Sequence, residues 1–233
     1  MNFKTALIVT AVATSFLISG CVSKPVPQKN SGFFKDYNEL AQENKKFTHR
    51  HAQIMPDADF SQYENVYVAP IQVVSSIPKE QETDEQKKLY KEISDYLTRA
   101  YKKEVKANGI YTLVEDKTVA KTLVFEAAMS AVEVHFDDTT WYQFMPIELG
   151  LTAVARNTYM DGSVRVLGEG RLVDAKTGKL LLRTMNLQKA QEVSTQDEFL
   201  IFTDVQPALD AWLKNSIKNL VELRKGIKKY EEK

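Results

Sequence analysis

The residue whose surroundings prescribe a reaction is Cys21, the only cysteine in the chain. It follows Ile18-Ser19-Gly20, a branched apolar residue and then two small ones. Small side chains let a signal peptidase approach the backbone closely, and a thiol placed there accepts a diacylglycerol before cleavage makes it the new N-terminus. Upstream, Lys4 supplies a positive n-region, and Ala6 to Ile18 is apolar except at Thr10, Thr14 and Ser15. That run is a secretory h-region, short of the roughly 20 apolar residues that span a bilayer. Together these features read as a lipobox. Residues 1–20 are expected to be removed, and Cys21 to carry the lipid.

The two acyl chains of a diacylglycerol, with the usual N-acyl group (palmitate), exceed the two-signal threshold for stable anchoring. The membrane is therefore the first expected partner. Val22 follows the cysteine, where lipoproteins retained in the inner membrane usually carry Asp. In a two-membrane bacterium this implies the outer membrane, with the domain facing the periplasm.

Other candidate chemistry is sparse. His49 and His51 lie two apart in a polar segment, with no third ligand at metal spacing, and read as solvent-exposed. Asp137-Asp138 reads as a turn signal rather than half a cation site. Gly168-Glu169-Gly170 lacks the strand-to-helix setting of a nucleotide fingerprint. No phosphate loop, G-x-S-x-G elbow or helical H-E-x-x-H is present in the sequence. The expectation is a domain without catalysis, metal or cofactor. With 31 basic and 31 acidic side chains and a pI near 6.9, the chain also lacks the basic footprint of a nucleic-acid binder.

These residues need a scaffold, and 233 residues with 43% hydrophobic content suffice for one sizeable core. Residues 21–30 contain Pro25 and Pro27 without apolar periodicity, which makes a tether. Phe33, Phe34, Tyr37 and Leu40 form an apolar cluster, read as an N-terminal arm docking on the domain. Asn65 to Val74 is a strand with a bulge or edge at Pro70. Thr83-Asp84-Glu85-Gln86 is a capping box. It opens a helix whose inner face is Leu89, Ile93, Leu97, Ala100 and Val105, flanked by Tyr90, Tyr96 and Tyr101, and which ends at Asn108-Gly109.

Ile110 to Val114 is a short strand and Thr122 to Val134 a longer one. Ser163 to Asp174 and Lys179 to Leu187 form a hairpin about Asp174-Ala175-Lys176-Thr177-Gly178. Gly168 and Gly170 mark a place where another backbone crosses closely. A last helix is capped by Thr203 or Asp204, with Pro207 in its first turn and a buried stripe of Val205, Leu209, Trp212, Leu213, Ile217, Leu220 and Val221. The economical architecture is α+β: one mixed, hairpin-rich sheet with two amphipathic helices mainly on one face, spanning 31–225, and a solvated tail at 226–233.

Several loose motifs in fixed order then carry a resemblance. They are the lipobox, Ser31-Gly32-Phe33-Phe34-Lys35-Asp36-Tyr37, Asp59-Phe60-Ser61-Gln62-Tyr63, Val173-Asp174 with Thr177-Gly178, and Asp204-Val205, Pro207-Ala208-Leu209-Asp210 and Trp212. The chain resembles the bacterial lipoproteins grouped as domain of unknown function 3313, over roughly 31–225. The resemblance implies an anchored periplasmic domain and no reaction.

The functional expectation is a structural, assembly or interaction role; the alternative is a module binding a small or lipid-like ligand between sheet and helices. Between Phe136 and Ile147 six large apolar side chains cannot share one face of a single element. Either they plug an end of the core, or Trp141, Tyr142 and Phe144 form a contact for a second copy or another envelope protein.

Overall fold

The computed structural model describes residues 31–37, 40, 50–75, 79–135, 162–193 and 202–226. Its strands are β1 (Arg50–Ile54), β2 (Asn65–Val68), β3 (Gln72–Val73), β4 (Thr112–Val114), β5 (Thr122–His135), β6 (Gly162–Asp174) and β7 (Leu180–Val193). Its helices are α1 (Asp84–Asn108) and α2 (Phe202–Arg224), with a 3-10 turn at Lys79–Gln81. All seven strands join one mixed sheet in the order β1-β7-β6-β5-β2-β4, with β3 beside β5. This is the α+β architecture expected from the sequence.

The β5-β6-β7 meander is its backbone. β6 and β7 meet at a turn where the Asp174 carboxylate accepts from the Thr177 amide at 2.7 Å, and Gly178 takes φ +70°. Asp is chosen here because its side chain closes the turn on its own backbone. β2 and β3 are one strand interrupted at Pro70. Val68 pairs Phe125, whereas Gln72 pairs Ala128, so the chain gains one residue on β5. The bulge takes Ile71 out of the ladder, and α1 compensates. Thr98 Oγ1 accepts from the Ile71 amide at 2.9 Å, and Ser94 Oγ donates to its carbonyl at 2.6 Å. Two hydroxyls four residues apart lie on one helix face, so a single turn of α1 satisfies both groups.

α1 begins and ends where the sequence predicts. Thr83 and Gln86 form the reciprocal capping box, and Gly109 closes the helix at φ +62°. Its buried stripe is Tyr90, Ile93, Leu97, Tyr101 and Val105. Two of the tyrosines therefore join the core rather than flank it, while Leu89 and Ala100 pack partly buried against it.

α2 starts earlier than expected. Phe202 is already helical, so Thr203 and Asp204 lie inside the first turn and Pro207 inside the helix, where its missing N–H removes a bond to the preceding turn. Its buried side includes Ala208 and Leu223 as well as the expected stripe, and Val221 is only half-buried. β7 runs past the expected end at Leu187, and β1 takes in Arg50 and His51 at the end of the polar segment.

Both helices cover one face of the sheet, against Phe125, Met129, Val166, Leu172 and Leu182. Tyr101 stacks on Phe125 with centroids 4.1 Å apart. The expectation about the glycines needs correction: what approaches Gly168 is a side chain. A Cβ there would lie 1.9 Å from Trp212 Nε1, and one on Gly170 would lie 3.3 Å from Thr184 Oγ1. Trp212 is the larger payload, and the strand gives up a side chain to admit it.

Candidate functional site

The alternation of a strand sends every second residue to the other face. With Gly168 and Gly170 under α2, Glu169 points away from the helices. Register places it beside Ala128 of β5 and Met185 of β7, with Arg171 and Arg183 next along the same face and Gln53 and His51 of β1 beyond. Such a row would normally face water. Here Glu169 is 1% exposed, His51 4% and Arg183 6%.

Over Glu169 and Arg183 lies the arm at 31–37, and Leu40 reaches His51. Gly32 takes φ +80° and turns the chain, so that Ser31 Oγ accepts from the Phe33 amide at 3.1 Å. The Tyr37 phenol is the hub. Its oxygen accepts from the Phe34 amide at 3.0 Å, contacts Ser31 Oγ at 2.7 Å, and donates to Glu169 Oε2 at 2.7 Å. With its proton committed to the carboxylate, the Tyr37 oxygen takes the Ser31 hydroxyl as a donor. Phe33 lies under the Arg171 guanidinium at 5.2 Å, and Arg171 Nε reaches Glu126 at 2.5 Å. Arg183 donates to the Asp36 carbonyl at 2.7 Å and to Gln53 Oε1 at 2.5 Å. Phe34 and Leu40 are buried.

The Tyr37 phenol and the Asp36 carbonyl thus supply partners to Glu169 and Arg183, the groups that the arm itself shields from water. A hydrogen bond to a charged group is worth about 1.5–3 kcal/mol net, and leaving a buried one unmade costs at least as much. Burial pushes the Tyr37 phenol up to about 12. Burial also lowers the His51 imidazole, with a backbone bond to Leu40 opposing. His51 is thus a buried strand residue and not the exposed one expected. Its burial comes from pairing with β7, a distant strand, and its polar neighbourhood gives no local sign of it.

A second surface lies on the helix side. α1 and α2 run alongside in the same direction: Tyr96 meets Phe202 and its phenol reaches Asp210, Ser216 bonds Tyr101 at 3.3 Å, and Val105 with Asn108 lies by Ile217 and Val221. Between them opens a groove of about 850 Å³. Its floor is Ala100, Leu213, Ile217 and Val221, and its rims carry Arg99 and Lys103 on α1 and Lys214 and Lys218 on α2.

Cys21, Ile18, Ser19 and Gly20 lie outside the described residues, as do Trp141, Tyr142, Phe144, His49, Asp137 and Asp138. Among the described residues no three His, Cys, Asp or Glu side chains are grouped to hold a metal ion, and no helix is long and apolar enough to cross a membrane. The reading of the sequence missed Tyr37–Glu169 and Arg183, because charges alternating along a hairpin look like a wetted face.

The family described as "Protein of unknown function (DUF3313)" matches residues 29–216. The Escherichia coli K12 protein "Uncharacterized lipoprotein YdcL" is 24% identical over 206 residues, which cover 87% of this chain and 90% of that one. Among solved structures, the PelC dodecamer from Paraburkholderia phytofirmans aligns with a TM-score of 0.38 at 9% identity, over 75% of this chain and 96% of that one. A DUF4136 family protein from Bacteroides thetaiotaomicron aligns at 0.37 and 15% identity, over 75% and 96%.

Proposed function

The chain belongs to the DUF3313 family, and from that premise we propose that it is a lipid-anchored envelope protein whose domain holds and presents a binding surface rather than catalysing a reaction. The observation that carries the reading is the arm. A lipid on Cys21 would be joined to the domain by residues 22–30, and the next residues, Ser31 to Tyr37, are bonded into the sheet through Glu169 and Arg183. Nine residues reach at most about 30 Å when extended, and the two prolines stiffen them. An anchor so joined keeps the domain within a fixed distance of the bilayer and leaves from one defined face. A diffusible enzyme has no need of that constraint, whereas a protein that meets a partner at a set height does. The lipoprotein name of the Escherichia coli relative supports the anchor, and Val22 supports the outer membrane as its place.

The test is Cys21→Ser. The native protein is expected to begin at a triacylated Cys21 and to sediment with membranes, and the variant to remain an unprocessed precursor. Mass spectrometry that finds an unmodified Cys21, or a mature N-terminus elsewhere, overturns the proposal.

A further inference from the structure

The groove between α1 and α2 sorts its side chains by chemistry, apolar on the floor and mostly basic on the rims. Its residues fall into rows of four-residue spacing: Leu213, Ile217 and Val221 along the floor, Lys214 and Lys218 on one rim, Arg99 and Lys103 on the other. Residues four apart are neighbours on a helix surface, so each row is a ridge. Leu213 and Ile217 are 8% and 7% exposed, sunk below the four exposed cations. Among the described residues none of the four makes an ion pair within 4 Å, whereas on α1 Lys91 pairs with Asp95, whose carboxyl Arg99 also lowers from a distance, and Lys102 pairs with Glu115. Two acids also line the groove, Glu104 and Asp210, and the Asp210 carboxylate already accepts the Tyr96 phenol.

We infer that this groove receives an amphipathic helix of a partner protein, with an apolar row flanked by Asp or Glu. The shape selects a helix. Two parallel ridged walls over the span from Tyr96 to Asn108, about 18 Å, accept a third helix of roughly three turns, its apolar row on the floor and its acids against the rims. The charge selects an acidic one, since four cations facing two carboxylates would repel a basic helix and steer an acidic one. A bilayer fits less well. A flat surface touches the rims and leaves the floor uncovered, and the groove lies on the opposite side of the sheet from the arm. Apart from that last point the inference goes beyond the anchoring proposal without resting on it.

The probe is a fluorescein-labelled designed helix of about 18 residues with a Leu row flanked by Glu, and a companion in which every Glu is Lys. Fluorescence anisotropy with the purified full-length chain is expected to show the Glu peptide binding at least about tenfold more tightly, with affinity falling as salt rises. Lys214→Glu with Lys218→Glu should weaken the Glu peptide about tenfold, and Lys88→Glu with Lys106→Glu, on α1 but outside the groove, should change it less than about twofold. Equal binding of the two peptides overturns the inference, and that comparison needs no variant. So does an equal effect of the two charge reversals, or displacement of the Glu peptide by phosphatidylglycerol vesicles with the same dependence on Lys214 and Lys218, which would assign the rims to membrane.

Discussion

At Gly168 the sheet omits a side chain so that the Trp212 indole can settle on it. One residue later Glu169 projects to the other face, and the Tyr37 phenol comes down to meet it. The helix face is closed by volume: apolar stripes from α1 and α2 over Phe125, Met129, Val166 and Leu182. The arm face is closed by partners: a phenol, a carbonyl and an aromatic ring set on a carboxylate and two guanidinium groups. Volume is forgiving of chemistry and intolerant of shape. A buried polar layer is the reverse, because each group needs one particular partner and little else can stand in. A short segment can close a face in the second way, since a few directed bonds do what a helix does with many contacts.

The largest loss is expected on the helix face. Trp212→Ala is expected to cost about 3–5 kcal/mol in urea unfolding, as for other buried Trp truncations. Gly168→Ala should be severe in the native background, because its Cβ would fall 1.9 Å from the indole nitrogen. In the Trp212→Ala background the same change should cost far less, as the space is then empty. Additive effects would show that the two positions do not share a volume.

The arm face should fail differently. Tyr37→Phe leaves Glu169 buried without its donor, an expected loss of about 1.5–3 kcal/mol. The failure should also be local, with the arm released while the helices stay packed. Trypsin cutting at exposed Lys35 should accelerate in Tyr37→Phe and stay slow in the parent protein. Glu169→Gln retains an acceptor for the phenol and should be milder than Tyr37→Phe. Unchanged cleavage with unchanged stability would mean that the phenol does not hold the arm.

The helix face was legible in the sequence for the reason that makes it tolerant. Apolar residues at helical spacing, Thr83 and Gln86 at a start and Gly109 at an end are local signals; the two ends of α1 stand where expected, while Tyr90 and Tyr101 take core places expected of Leu89 and Ala100. Pro70 likewise announced a bulge, though not that Ser94 and Thr98 would repair it. The arm face was legible only as an expectation that Phe33, Phe34 and Tyr37 dock somewhere. Its partners lie far along the chain: Tyr37 and Glu169 are 132 residues apart, and Arg183 and Asp36 147. A charge in a strand carries no mark that says whether water or a phenol will meet it. For the same reason the polar sequence around His51 gives no sign of burial, even though His51 keeps one face of β1 in register with Met185 of β7.

His51 offers the smallest and most selective test of the arm face. Burial holds its imidazole below the ordinary value of 6.5, so the native state keeps it neutral. The unfolded chain takes up a proton as pH falls through about 6.5, and the folded one does so only at lower pH. In that interval the unfolded state binds more protons, and stability must fall as pH falls; above about 6.5 both states are neutral and the effect vanishes. Asp57, Asp59, Glu64 and Asp174 also carry lowered values, but their ordinary values are 3.8 to 4.5, so their losses come at more acidic pH. At the alkaline end the sign reverses. Tyr37, raised from 10.0 to about 12, stabilises fully below 10 and loses that contribution as pH climbs toward 12. Urea midpoints measured from pH 7.5 down to 5 should therefore decline modestly below about 6.5 in the parent chain, and His51→Gln should flatten that decline whatever it does to the midpoint at pH 7.5. A slope that survives His51→Gln would place the titrating group elsewhere and leave the arm face closed by its carboxylate and guanidinium contacts alone.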